Sequence, residues 1–161
     1  MLFRMKLPQN KKETVLFMFL ISIISVNIIA PVITGFEIGF SWQTWHQVLA
    51  IIPLMWITVL AIVLLTQQSA GWLTERIVDR EDSFLAHMVI NGLCSVLLIS
   101  MFMTVLGTWI GGQQISWTPF QQFFVKWPRN FAIALAVELL IAQPIARQTM
   151  QLIHNRQKTE D

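Results

Sequence analysis

The stretch VLFMFLISIISVNIIAPVITGF, residues 15–36, carries no charged side chain over 22 positions. At about 1.5 Å per residue, a helix of that length covers a hydrocarbon core of roughly 30 Å. Backbone amides in lipid find no water, so such a run takes the form that pairs them internally, an α-helix. Three more runs follow: Val48–Thr66, Met88–Ile110 and Trp127–Ala146. The last contains Arg129 and Glu138, yet Phe131, Ile133, Leu135, Val137 and Leu139–Ile141 keep it apolar enough to span. The basic residues before residue 15 resemble the start of a cleaved signal. The apolar run is too long for one, however, and Ala30 is followed by Pro31, so a retained helix is expected. The fold class read from the chain is all-α: a polytopic membrane protein with four transmembrane helices.

Composition agrees. Of 161 residues, 55% are hydrophobic and 12% charged, against about 25% charged in a typical soluble domain. Mean hydropathy is +0.59. Too little polar material is present to cover a soluble fold of this size, which excludes an ordinary soluble enzyme and a disordered chain. The balance of 11 Lys+Arg against 9 Asp+Glu leaves only +2, so no basic surface for nucleic acid is expected. Cys94 is the single cysteine and sits in an apolar run, as a small packed hydrophobe would. No H-E-x-x-H, G-x-S-x-G or phosphate-binding glycine loop occurs, and His46, His87 and His154 lie in separate segments. No catalytic residue, no metal site and no cofactor is expected.

Counting cations in the flanks orients the chain. Arg4, Lys6, Lys11, Lys12, Arg76, Arg80, Arg147, Arg156 and Lys158 fall on one side, and Lys126 and Arg129 on the other. Both termini of this multi-pass chain are therefore expected on the cytoplasmic side of the membrane. Trp42, Trp45, Trp109, Trp117 and Trp127 cluster at the outer boundary, and Trp72 marks the inner one. The mixed-charge stretch Thr74–Asp82 reads as a solvated connector, starting as a short helical extension.

An offset of 75 residues superimposes the two halves. Ser41 and Trp42 meet Ser116 and Trp117, Gln47 meets Gln122, Pro53 meets Pro128, and Gln68 meets Gln143. The expected organisation is two tandem hairpins in the same orientation, residues 1–80 and 81–161. A two-span unit returns the chain to its starting side, so the pseudo-twofold axis lies along the membrane normal rather than in its plane. Where the first half has Met55, Val63 and Trp72, the second has Asn130, Glu138 and Arg147. Any site therefore belongs to the fourth span.

Glu138 is near the middle of that span, where a charged residue costs about 2.5–3.5 kcal/mol on insertion scales; it should face protein or water, or be protonated. Asn130, Ala134, Glu138, Ala142 and Ala146 recur at intervals of four and form one ridge, whose small residues admit a neighbouring helix. Asn27, Ser95 and Ser100 are the candidate partners at similar depth, with His87 and Asn91 nearer the cytoplasmic end. Pro144 should free a carbonyl near Leu140 and bend the span. Arg129 and Arg147, flanking it, read as boundary cations snorkelling to headgroups.

The stretch from Trp127-Pro128-Arg129-Asn130-Phe131 through Glu138 to Gln143-Pro144-Ile145-Ala146-Arg147 resembles a bacterial membrane family, domain of unknown function 2798. Members resemble two-span hairpins with an aromatic-Pro entry and a Pro-x-x-Arg exit, often in tandem. The likeness covers residues 84–156 well and 14–80 weakly, since Ser69 and Trp72 stand where Pro and Arg would exit. The family brings no established activity. Two roles remain open: a small proton-linked transporter or transport accessory using Glu138, or a non-transporting assembly protein in which Glu138 fixes packing. The expected partners are the bilayer and, because four helices enclose little space, a second copy of the chain.

Overall fold

The computed structural model describes residues 10–160, with the side chains of residues 84, 85 and 157–160 outside that description. Arg4 and Lys6, used above for orientation, lie outside the described residues, as does the side chain of Lys158. The chain folds into α1 (Lys11–Ile38), α2 (Trp42–Ile77), α3 (Phe84–Gly112), a short α4 (Thr118–Gln121), α5 (Phe123–Val137) and α6 (Gln143–Glu160). A π-turn, Glu138–Ala142, joins α5 to α6 without a break in helical backbone. All four expected spans are helices long and apolar enough to cross a membrane.

The helices overrun the apolar runs because their ends are capped in polar sequence. Asn10 starts α1: its Oδ1 accepts from the Glu13 amide at 2.9 Å, and its Nδ2 donates to Glu13 Oε1 at 2.7 Å. That exchange satisfies a donor the first turn would otherwise leave free. Gly39 ends α1 at φ 95°, a conformation costly for any residue with a Cβ. One turn earlier, the Phe40 ring folds back onto Gly35, where a side chain would overlap it. Ser41 then starts α2, its Oγ accepting from the Thr44 amide at 3.1 Å. Replacing Ser41 by Ala should cost about 1 kcal/mol, read as a lower unfolding midpoint in detergent; an unchanged midpoint would show that the cap contributes nothing.

The residue aligned with Ser41 behaves differently. Ser116 offers its carbonyl to Trp109 Nε1 at 2.9 Å, and α4 follows with Pro119 in its first turn. The chain thus enters α2 and α5 by different routes.

The four spans form a ring. Helix α1 packs on α2, α2 on α3 and α3 on α5, while α1 closes the circle against α5, the π-turn and α6. Unlike a water-soluble bundle, the ring has an apolar exterior, and its interior mixes polar with apolar side chains. Ser22, Ser25, Thr66, Thr74, Ser100, Thr104 and Asn130 are buried, whereas Leu65 is 80% exposed and Phe124 84%. Interior hydroxyls return to their own helices: Thr66 to the Ile62 carbonyl, Thr74 to Ala70 and Thr104 to Ser100, each at 2.7 Å. A helix in lipid requires this, because an unpaired hydroxyl there has no water to turn to. Four long apolar helices and an apolar exterior make the class plain: a polytopic helical membrane protein.

Candidate functional site

Glu138 opens the π-turn. The Gln143 amide donates to the Glu138 carbonyl, an i to i+5 bond that takes one extra residue into the turn. Pro144 explains why the distortion falls here: it has no N–H to offer, and its ring crowds the Leu140 carbonyl four residues back. A widened turn relieves both. The extra residue also keeps the ridge in phase. Every step of four advances about 40° beyond a full α-helical turn, so a long series would wander off one face. With the π-turn in its middle, the series Ala142, Ala146, Met150 and His154 stays buried below Glu138, and Asn130 stays buried above it.

Across from the ridge is α1. Ser25 Oγ donates to Glu138 Oε2 at 2.8 Å. Ser25 stands at the centre of α1 (Lys11–Ile38), so the carboxyl meets its partner halfway along the ring. The ridge therefore does place Glu138 in a helix–helix seam, but with a partner the sequence did not single out. Asn27, the candidate on the same helix, is exposed and turns its Nδ2 to the Ile23 carbonyl of its own helix at 2.8 Å. Two residues on an α-helix are separated by about 200°, so Asn27 and Ser25 cannot serve one seam. The available signal was the i, i+3 pair Ser22 and Ser25, which gives α1 a small polar face toward its neighbours.

The α3 candidates do not reach Glu138. Ser95 is half-buried and makes no side-chain hydrogen bond among the described residues. Ser100 donates to the Leu97 carbonyl at 2.8 Å and accepts from Trp127 Nε1 at 3.0 Å, which ties α3 to the entry of the fourth span. Asn91 accepts from Thr74 at 3.2 Å, and His87 Nε2 lies 3.0 Å from the Asp79 carbonyl, both near the α2–α3 connection.

Asn130 shares the ridge with Glu138 but belongs to a second cluster two turns away. Its Nδ2 donates to Thr104 Oγ1 at 3.3 Å, and its Oδ1 accepts from Arg129 Nε at 3.4 Å. Arg129 Nη2 and Lys126 Nζ each stand 3.2 Å from Glu37 Oε1 on α1. Arg129 is therefore held by protein groups rather than left to headgroups. The acid that holds it escaped notice because Glu37 falls one residue past the uncharged run. At the other end of the ring His154 Nε2 lies 3.0 Å from Glu13 Oε2, both largely buried, which ties the end of α6 to the start of α1. Arg147 bonds Gln143 Oε1 at 2.6 Å. Polar contacts thus recur at intervals along one seam, between α1 and the fourth span, with Glu138 and Ser25 at its centre.

A groove of about 570 Å³ lies elsewhere, between α1 and α2, lined by Pro31, Gly35, Phe40, Trp42, Trp45 and Val48 among others. Among the described residues, no group of three or more His, Cys, Asp or Glu is placed to hold a metal ion.

Comparison with known proteins places the second half of the chain. Residues 85–154 match the family model described as a domain of unknown function (DUF2798). The match takes in Met88, Gly92, the whole of α5, the π-turn with Glu138, and α6 as far as His154. No curated protein and no solved structure matches the chain.

Proposed function

We propose that the chain is a small protein of a bacterial cytoplasmic membrane, both termini cytoplasmic, in which Glu138 binds and releases a proton as part of a transporter or transport accessory. The observation that carries this is the Ser25–Glu138 contact of 2.8 Å at mid-depth. A hydroxyl donates to an ionised carboxylate and accepts from a protonated one, so Ser25 can serve both states without moving. An ionisable group at that depth is costly to keep unless it is used or neutralised. The orientation rests on the nine-to-two division of cations, and the tandem-hairpin organisation on the Ser-Trp and Pro matches at an offset of 75.

A second reading has its own support. Ala142 and Ala146 are 0% exposed, the close approach expected where a helix pair is built to lock. In that case the protein is a non-transporting assembly component, and the Glu138–Ser25 bond only fixes α1 on the fourth span.

Proteoliposomes loaded with a pH-sensitive dye separate the two. Proton-linked flux should be present in the wild type and lost in Glu138→Gln, which keeps the shape of the side chain and its hydrogen bond to Ser25 but cannot ionise. Unaltered flux in a folded Glu138→Gln protein would exclude proton coupling through this residue. Silence in both proteins, with a lower unfolding midpoint in Glu138→Ala, which removes the bond to Ser25, selects the assembly role.

A further inference from the structure

The fourth span has an arginine at each end, and the protein treats them differently. Arg129 reaches the Glu37 carboxylate at 3.2 Å. Arg147 has no carboxylate within ion-pair distance among the described residues. Its Nη2 donates to two neutral acceptors, Gln143 Oε1 at 2.6 Å and Met88 Sδ at 3.8 Å. Its Nε is enclosed and has no acceptor. A snorkelling arginine stretches its guanidinium into water; this one is bent back toward α3, with part of its donor edge shut away from solvent.

Gln143 extends the deficit. Its oxygen is taken by Arg147, and among the described residues its amide nitrogen has no acceptor. That nitrogen points at Gly92 of α3, where a Cβ would stand 3.2 Å from it. The glycine leaves space where any other residue would press on the amide. Helix α3 packs against α5 in the other half of the ring, whereas here the long side chains of Gln143 and Arg147 cover the interval to Gly92 and Met88. A positive charge and N–H donors thus converge in a seam that supplies no anion among the described residues.

Depth identifies what completes it. Arg147 follows Glu138 by nine residues, about 13 Å along the helix, and Glu138 is level with the midpoint of α1. Half the hydrocarbon thickness is about 15 Å. The guanidinium therefore sits at the edge of the hydrocarbon, within reach of the phosphate layer on the side where the described chain begins and ends. We propose that Arg147 and Gln143, facing Gly92 across the α3–α6 seam, form a binding site for a phosphate group, held by the guanidinium fork and the side-chain amide. A lipid phosphodiester and inorganic phosphate present the same oxygens to these donors. Nothing in this site depends on whether Glu138 carries protons.

The test uses the full chain in nanodiscs, with bound lipid read by native mass spectrometry and stability by thermal unfolding. The wild type should retain phosphatidylglycerol in preference to phosphatidylcholine. Arg147→Gln should reduce that preference about five-fold, near the effect of one surface cation on an anionic lipid. Arg129→Gln, whose charge is already met by Glu37, should leave it unchanged. Inorganic phosphate added to phosphatidylcholine nanodiscs is the second arm. A rise in Tm for the wild type but not for Arg147→Gln assigns the site to a soluble oxyanion; no rise, with the lipid preference intact, assigns it to lipid. Should Arg147→Gln fail to fold, Arg147→Lys keeps the charge without the fork and is expected to weaken binding in whichever arm is positive. Equal lipid retention by wild type and variant, with no phosphate-dependent Tm difference, overturns the proposal.

Discussion

Met150→Ala is expected to destabilise the bundle by about 2–5 kcal/mol, the range found when a buried Met is cut back to Ala. Met150 is 0% exposed and is among the largest side chains buried so completely. It lies twelve residues beyond Glu138, about 18 Å along the helix, which puts it past the hydrocarbon rather than within it. Its unfolded-state surroundings are therefore aqueous, and loss of burial adds to the cavity left behind. Deeper in the bilayer only the cavity term would count, since lipid is as apolar as the protein interior. One turn further on, His154 meets Glu13 at 3.0 Å, so a gap at Met150 also loosens the contact that holds α6 to the start of α1. Met150→Leu conserves volume and should cost less than about 1.5 kcal/mol. Tryptophan fluorescence during denaturant unfolding in mixed micelles measures both variants. Equal midpoints for Met150→Ala and the wild type would refute the packing assigned to this residue.

Glu37→Gln should have the next largest effect, about 1–3 kcal/mol. One carboxylate oxygen stands 3.2 Å from both Lys126 Nζ and Arg129 Nη2, with the acid's side chain 23% exposed and the cations' 19% and 35%. Breaking a fully buried pair costs about 3–5 kcal/mol, and partial solvent access reduces that figure. The amide keeps the shape and removes the charge, so two cations are left facing each other. Two signatures distinguish this from a general loss of fold. The deficit should shrink as salt screens the repulsion, and a second substitution, Lys126→Met, should restore most of the lost stability by removing one of the like charges. A salt-independent deficit that Lys126→Met deepens would sink the electrostatic explanation.

The spans were legible because a hydrophobic run long enough to cross lipid is a local property. Their ends were less so. Helix α2 continues to Ile77, well past the apolar limit at Thr66, since nothing between Gln67 and Ile77 breaks a helix once it has begun. The ridge of small residues around Glu138 was legible in the same way, because four-residue spacing marks a face. What spacing cannot supply is the identity of the opposing face. Asn27 and Ser25 are at almost the same depth, and only the rotation of α1 about its axis decides between them. Glu37 was missed for a related reason: as a single acid at the end of a run it resembles a solvated boundary residue until topology brings Lys126 and Arg129 beside it.

By itself, then, the sequence determined the class and the four crossings, both of which follow from hydropathy along one segment. It also placed Pro144, and with it the point where the fourth span must depart from regular α-helix. Tertiary structure alone decided which partner each polar group has: Ser25 for Glu138, Glu37 for Arg129, Thr104 for Asn130 and, among the described residues, no acid for Arg147. A helix fixes depth through its rise per residue, whereas the direction a side chain faces depends on how the helix is turned against its neighbours. That rotation is a property of the packed ring, and no single span contains it.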